Sequence, residues 1–208
     1  MKKVIHINLA GRAFVIDIDA YDKLDRYLAA IERQFKRSEG FEDIMFDIEN
    51  RIAELLEEDS PNMVITASKV EMVIHTMGSP EDYGTEEDAE ERTSKSIPKF
   101  KTGKKLFRDP ENKIVAGVAS GLSAYFGISD PIIIRILFVI STMSGGLGLI
   151  TYIILWIAVP KAETSSDFLA MRGEEINIDN IARTVEDSMK DLKDTIEDIS
   201  KGIRTKML

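Results

Sequence analysis

The chain holds no cysteine and only two histidines among 208 residues. Thiol nucleophiles, disulfides, iron–sulfur clusters and cysteine-based zinc sites are thereby removed, and metal or triad chemistry is left to His6 and His75. His6 stands in a strand-like alternation and His75 in a short helical pattern, so each reads as scaffold. There is no Walker loop, no G-x-S-x-G elbow and no H-E-x-x-H. Gly145, Gly146 and Gly148 lie within an apolar run and not after a strand, so they are no phosphate loop. No catalytic, cofactor-binding or metal-binding residue is expected. What the residue types do offer is physical contact: cations beside an uncharged block, glycines at helical spacing, and an apolar seam in the tail.

The charge is strongly segregated. Residues 1–91 carry 10 basic and 22 acidic residues, residues 92–113 carry 8 and 2, residues 114–160 balance Arg135 against Asp130, and residues 161–208 carry 8 and 11. An acidic body, a basic collar, a neutral block and a mixed tail do not describe a single soluble globule. Within the neutral block, Ile136–Val159 would reach about 36 Å as one helix, enough to cross a hydrocarbon core of roughly 30 Å. That composition predicts one transmembrane helix over about 136–159. The competing reading breaks the block at Ser144, Gly145, Gly146 and Gly148 into two half-helices that form a re-entrant hairpin in one leaflet. Lys104, Lys105 and Arg108 crowd the amino-terminal flank, Arg135 can snorkel to phosphates, and Tyr152 and Trp156 suit the far interface. The positive-inside rule then predicts a single-pass protein of the bacterial inner (cytoplasmic) membrane, with its N-terminus cytoplasmic and its tail exported. The collar is expected to meet membrane lipid. Direct nucleic-acid binding is not expected, because no aromatic interleaving or recognition helix accompanies the charge.

These contact residues need elements to hold them. Residues 4–17 alternate around Ala10-Gly11, predicting a hairpin that pairs Leu9 with Arg12, Ile7 with Phe14 and Ile5 with Ile16. Three helices follow. Tyr21, Leu24, Leu28, Ile31 and Phe35 line the first after an Asp19 N-cap, and Phe41, Ile44, Ile48, Ile52 and Leu55 line the second. Ser68 and Glu71 cap the third, which stops at Gly78. An acidic run then leads into the collar. A further helix is expected over Lys113–Phe126, with Gly117 and Gly121 as a small-residue face for close helix approach. In the tail, Ile178, Ala182, Val185, Met189, Leu192, Ile196, Ile199 and Ile203 step by four and three, predicting a long amphipathic helix. Its partner is open among a second copy or a partner helix, the membrane surface, and its own chain.

Several of these residues form a family pattern. Lys105-Leu106-Phe107-Arg108, Ala116-Gly117-Val118, Gly121-Leu122, Tyr125-Phe126-Gly127-Ile128, Asp130-Pro131 with Arg135 and Phe138, Gly145-Gly146 with Gly148, then Tyr152, Trp156 and Pro160 occur in this order. In this respect residues 104–162 resemble the PspC domain of the phage shock protein C family. The resemblance implies a membrane-anchored, non-enzymatic regulatory adaptor of bacterial envelope stress. It would act through other membrane or peripheral stress-response proteins, while the tail seam leaves a homo-oligomer open. The alternative is a structural membrane scaffold without a signalling role. Residues 41–83 look distantly like small signalling domains beside PadR-type regulators. The expected fold class is thus a small α+β domain of β-hairpin plus three helices over 1–83 and a charged linker over 84–103. An all-α PspC region with one transmembrane helix follows over 104–162, and then a tail over 163–208 with an amphipathic or coiled-coil helix at about 178–203.

Overall fold

The computed structural model describes residues 3–58, 64–80 and 104–206, with side chains through residue 201. The charged linker and the collar lysines before Lys104 lie outside the described residues. The chain divides into two bodies: residues 1–95 with 177–208, and residues 96–176.

The first body begins with strands β1 (Val4–Leu9) and β2 (Arg12–Asp17), antiparallel with Leu9 opposite Arg12, Ile7 opposite Phe14 and Ile5 opposite Ile16. The sequence pairing holds because a two-residue turn leaves no other register. Ala10 (φ 49°) and Gly11 (φ 77°) both adopt the left-handed backbone that matches strand twist in such turns. Asn8 Oδ1 accepts from Gly11 N at 3.0 Å. Ile65 adds a short parallel bridge beside Ile16.

Helices α1 (Ile18–Phe35) and α2 (Phe41–Glu57) pack on the hairpin, and α3 (Ala67–Met77) packs on both of these helices. The buried stripe of α1 is Ala20, Leu24, Tyr27, Ile31 and Phe35, rotated from the expected one. Tyr27 takes the inward place because its hydroxyl can donate to Gly78 O at 2.7 Å, whereas Tyr21 is left at the surface. The α1 N-cap is Asp17, and α3 is capped by Thr66, not by Asp19 or Ser68. Ile16, Ile31, Phe35, Ile44, Ile48 and Ile52 are wholly buried. Each such side chain contributes about 1.5–3 kcal/mol relative to exposure.

The second body contains α4 (Val118–Phe126), α5 (Ile132–Met143), α6 (Leu147–Ala158) and α7 (Ser165–Arg172). The first of these is shorter than expected, because Gly117 (φ 79°) forms its N-cap instead of lying within it. The last opens on a capping box in which Thr164 accepts from Asp167 N and Asp167 reaches back to Thr164 N. Ala162, Phe168 and Met171 form a small core here, with Phe107 and Ala124 against it.

Two expectations are overturned. The apolar block is not one transmembrane helix. Gly145 (φ 125°) and Gly146 (φ 80°) turn the chain by a backbone path no α-helix follows, splitting it into two helices of 12 residues each. Each is about 18 Å long against a hydrocarbon core of roughly 30 Å. No helix among the described residues is long and apolar enough to cross a membrane. The single-pass inner-membrane localisation falls with it, on a second ground as well. Helix α8 (Ile178–Lys206) belongs to the first body, where it packs on α2. A tail that shares a core with the amino-terminal domain cannot lie on the opposite side of a bilayer from it.

Candidate functional site: the helical hairpin and the tail seam

In the second body the extended residues 105–109 act as a keystone. Lys105 N donates to Ala170 O at 3.1 Å, Arg108 N to Pro160 O at 2.8 Å, and Asp109 N to Gly117 O at 3.0 Å, while Arg108 O accepts from Ala162 N at 3.0 Å. Gly117 and Gly121 make room for this strand. A Cβ on Gly121 would overlap Phe107 O, and one on Gly117 would overlap Asp109 O. The close approach at these glycines is therefore to the backbone of residues 107–109.

The residues expected at a membrane interface divide by what their polar ends do. Arg108 directs Nε to Val159 O at 2.9 Å and Nη1 to Ala116 O at 3.3 Å, so its charge sits at the carbonyl end of α6. Lys104 Nζ similarly donates to Tyr125 O at 3.1 Å near the end of α4. Both placements oppose the negative pole of a helix C-terminus. Lys105 is exposed. Arg135 Nη2 donates to Asn112 O at 2.8 Å. The Tyr152 hydroxyl accepts from Ala116 N at 3.2 Å, and its ring meets Phe138 edge-on at 5.2 Å. Trp156 stands about half exposed on α6.

Between α5 and α6 the three glycines have separate tasks. Gly145 and Gly146 form the turn, and Gly148 is the point of contact: a Cβ there would meet Thr142 N at 2.6 Å and overlap Phe138 O. Outward, the hairpin is apolar on nearly every face. Ile136, Leu137, Ile140, Ile150 and Ile154 are all more than half exposed, and Met143 and Ile157 reach 84% and 81%. Monomers in water rarely expose a contiguous apolar patch above a few hundred Å².

Sequence reasoning passed over the turn that supports this site. Asp109 is buried and accepts from Glu111 N at 2.8 Å and from Asn112 N at 3.2 Å and Nδ2 at 3.1 Å. Asn112 O then receives Ser120 Oγ at 2.7 Å as well as Arg135. The Asp109-Pro110 pair was the available signal, since Asp and Pro together mark a turn with side-chain closure.

The first body carries the tail seam. Ile178, Ile181, Ala182 and Val185 of α8 are buried. Val185 Cγ1 and Met189 Cγ would lie 3.0 and 3.2 Å from a Cβ on Gly40, the N-cap of α2, and Lys193 pairs with Glu39. Beyond that point Leu192, Ile196 and Ile199 are exposed by 57%, 66% and 58%. Ile203 lies on α8 among residues whose side chains are outside the description.

Among the described residues no group of three or more histidines, aspartates or glutamates could hold a metal ion. Burial pushes the Tyr27 hydroxyl well above its ordinary range and raises Glu49 above the usual carboxylate value. Neither lies near the hairpin in the sequence or shares its body.

No curated protein and no solved structure matches the chain. The family comparison does find a match, over residues 104–162, to the PspC domain. It covers under a third of the chain and coincides with the keystone strand, α4 and the α5–α6 hairpin. Residues 104–162 thus match the PspC domain, the family their motifs resemble.

Proposed function

We propose that the protein is a regulatory adaptor of a phage-shock-type stress response. On this reading it meets membrane lipid through the α5–α6 hairpin and partner proteins through the amino-terminal domain and α8. The observation that carries the reading is the exposed apolar surface of the hairpin inside a PspC domain. Two half-length helices joined by a tight turn suit insertion into one leaflet from one side. Backbone at that depth needs its polar groups bonded within the protein. Ser144 N donates to Ile140 O at 3.0 Å and Gly146 N to Thr142 O at 2.8 Å, so both of these turn amides are satisfied. The shared core of α8 and α2 agrees with both chain segments lying on one side.

Protein contacts are assigned to the exposed half of the seam, because Leu192, Ile196 and Ile199 continue the stripe that already packs on α2. The acidic residues Asp191, Asp194, Glu197 and Asp198 beside them disfavour adsorption to anionic lipid. The test is reporter transcription under envelope stress in a deletion strain complemented with the wild-type chain or with Leu192→Asp/Ile196→Asp. The adaptor reading expects the double variant to resemble the deletion while its chain still floats with lipid vesicles. An unaltered reporter together with leaky membranes would favour a structural scaffold instead.

A further inference from the structure

Arg135 is the only residue between Pro131 and Pro160 that carries a charge at neutral pH. Its guanidinium has five N–H donors, and among the described residues its one bonded partner is Asn112 O. Beside it lies a groove of about 280 Å³, near the lower end of the roughly 300–1,000 Å³ typical of small-molecule sites. It is lined by Ile114, Val115, Phe138, Val139 and Tyr152 together with Gly117, Ala119 and Ser120. The one hydroxyl of Tyr152 accepts from Ala116 N, and Ser120 Oγ donates to Asn112 O. Both polar side chains of the lining other than Arg135 thus have a hydrogen-bond partner within the protein. Ile114 and Val115 are exposed by 74% and 71%, so the groove's apolar wall is continuous with surface open to an apolar partner.

We propose that this groove holds one acyl chain of an anionic phospholipid, with the Arg135 guanidinium on its phosphate. The proposal rests on the lipid-contact reading above and deepens it from a surface to a site. A guanidinium matches a phosphate through two parallel charge-assisted hydrogen bonds. Free phosphate would gain that contact alone, whereas a lipid also withdraws its chain from water along Ile114, Val115, Phe138 and Val139. A zwitterionic lipid presents the same phosphate beside its own cation, which competes with Arg135 for it.

The test uses the full chain in non-ionic detergent micelles, with native mass spectrometry counting retained phosphatidylglycerol or phosphatidylcholine. One phosphatidylglycerol should be retained in preference to phosphatidylcholine, and inorganic phosphate should not displace it. Arg135→Gln should weaken retention by about tenfold, the loss expected for a charged hydrogen-bonded contact. Because Arg135 also holds Asn112 O, Val139→Trp serves as a second variant that fills the groove without touching that bond, and it should abolish retention with an unchanged thermal melt. Equal retention of the two lipids, or insensitivity to both variants, overturns the site. Displacement by inorganic phosphate reduces it to an anion site and also overturns the proposal. Co-flotation of the wild-type chain with vesicles is scored separately. Flotation without selective retention removes the groove and leaves the lipid-contact reading, while retention without flotation does the reverse.

Discussion

Tyr27 is the residue at which a sequence stripe and a real core part company. By spacing, Leu28 belongs inside, yet the interior accepts a tyrosine because Gly78 O is there to receive its hydroxyl. Burial raises the folded-state pKa above the unfolded value of about 10. Stability is therefore unaffected below that value and falls above it, by up to about 1.4 kcal/mol per pH unit, because the unfolded chain loses the proton first. Tyr27→Phe should cost about 1 kcal/mol at neutral pH through the lost hydrogen bond, and should remove this part of the alkaline decline. Urea melts from neutral pH upward would check both. At the β-turn, Ala10 holds a positive φ that Asn tolerates better. Ala10→Asn should thus raise stability by about 0.5–1 kcal/mol in the same assay. Gly121→Ala acts oppositely: its Cβ would overlap Phe107 O, so the central domain should lose about 3 kcal/mol or fail to fold, as a thermal melt of the full chain would register. None of these carbonyl neighbours could be read from spacing, because each lies many residues away along the chain.

Elements with one-sided patterns were legible, whereas the break at Ser144, Gly145, Gly146 and Gly148 was legible only as the competing reading of the apolar block. The β-hairpin register followed from a period of two and a two-residue turn. Ile136–Val159 looked like one helix because hydropathy adds apolar residues without regard to the conformation of Gly145 and Gly146. Two successive positive φ values end a helix however apolar its flanks. Lys104 and Arg108 were legible as cations, but not as groups held at helix ends, since the accepting carbonyls of Tyr125 and Val159 belong to later elements. Helix α8 was legible in period and length, but its first partner was not. The face it covers beside α2, at Glu39 and Gly40, is far away in sequence. Its outer half makes the next test. Leu192→Asp/Ile196→Asp should abolish intermolecular crosslinks between chains or to a partner, while the α2 contact at Val185 persists and the domain melts within about 0.5 kcal/mol of wild type. Crosslinks that survive the double variant would remove the seam as the contact.

For the whole molecule, the chain leaves its first body, forms the PspC domain and returns to complete the body it began. This connectivity makes a topological prediction that the absence of cysteine renders clean to measure. Single cysteines replacing Arg33 and Ser200 should react equally with an impermeant reagent added to chain bound to the outside of vesicles. Protection of one alone would place the two segments on opposite sides and break the shared core. The same return also imposes a schedule on biosynthesis. Glu57 ends α2, and α8 begins only at Ile178. At about 5–20 residues per second, a ribosome needs on the order of ten seconds to travel between them. Throughout that interval the surface of α2 that α8 will cover stands open, while the apolar hairpin emerges and can find its own surroundings. The closing helix arrives after that step, so the order of translation itself places completion of the amino-terminal domain last.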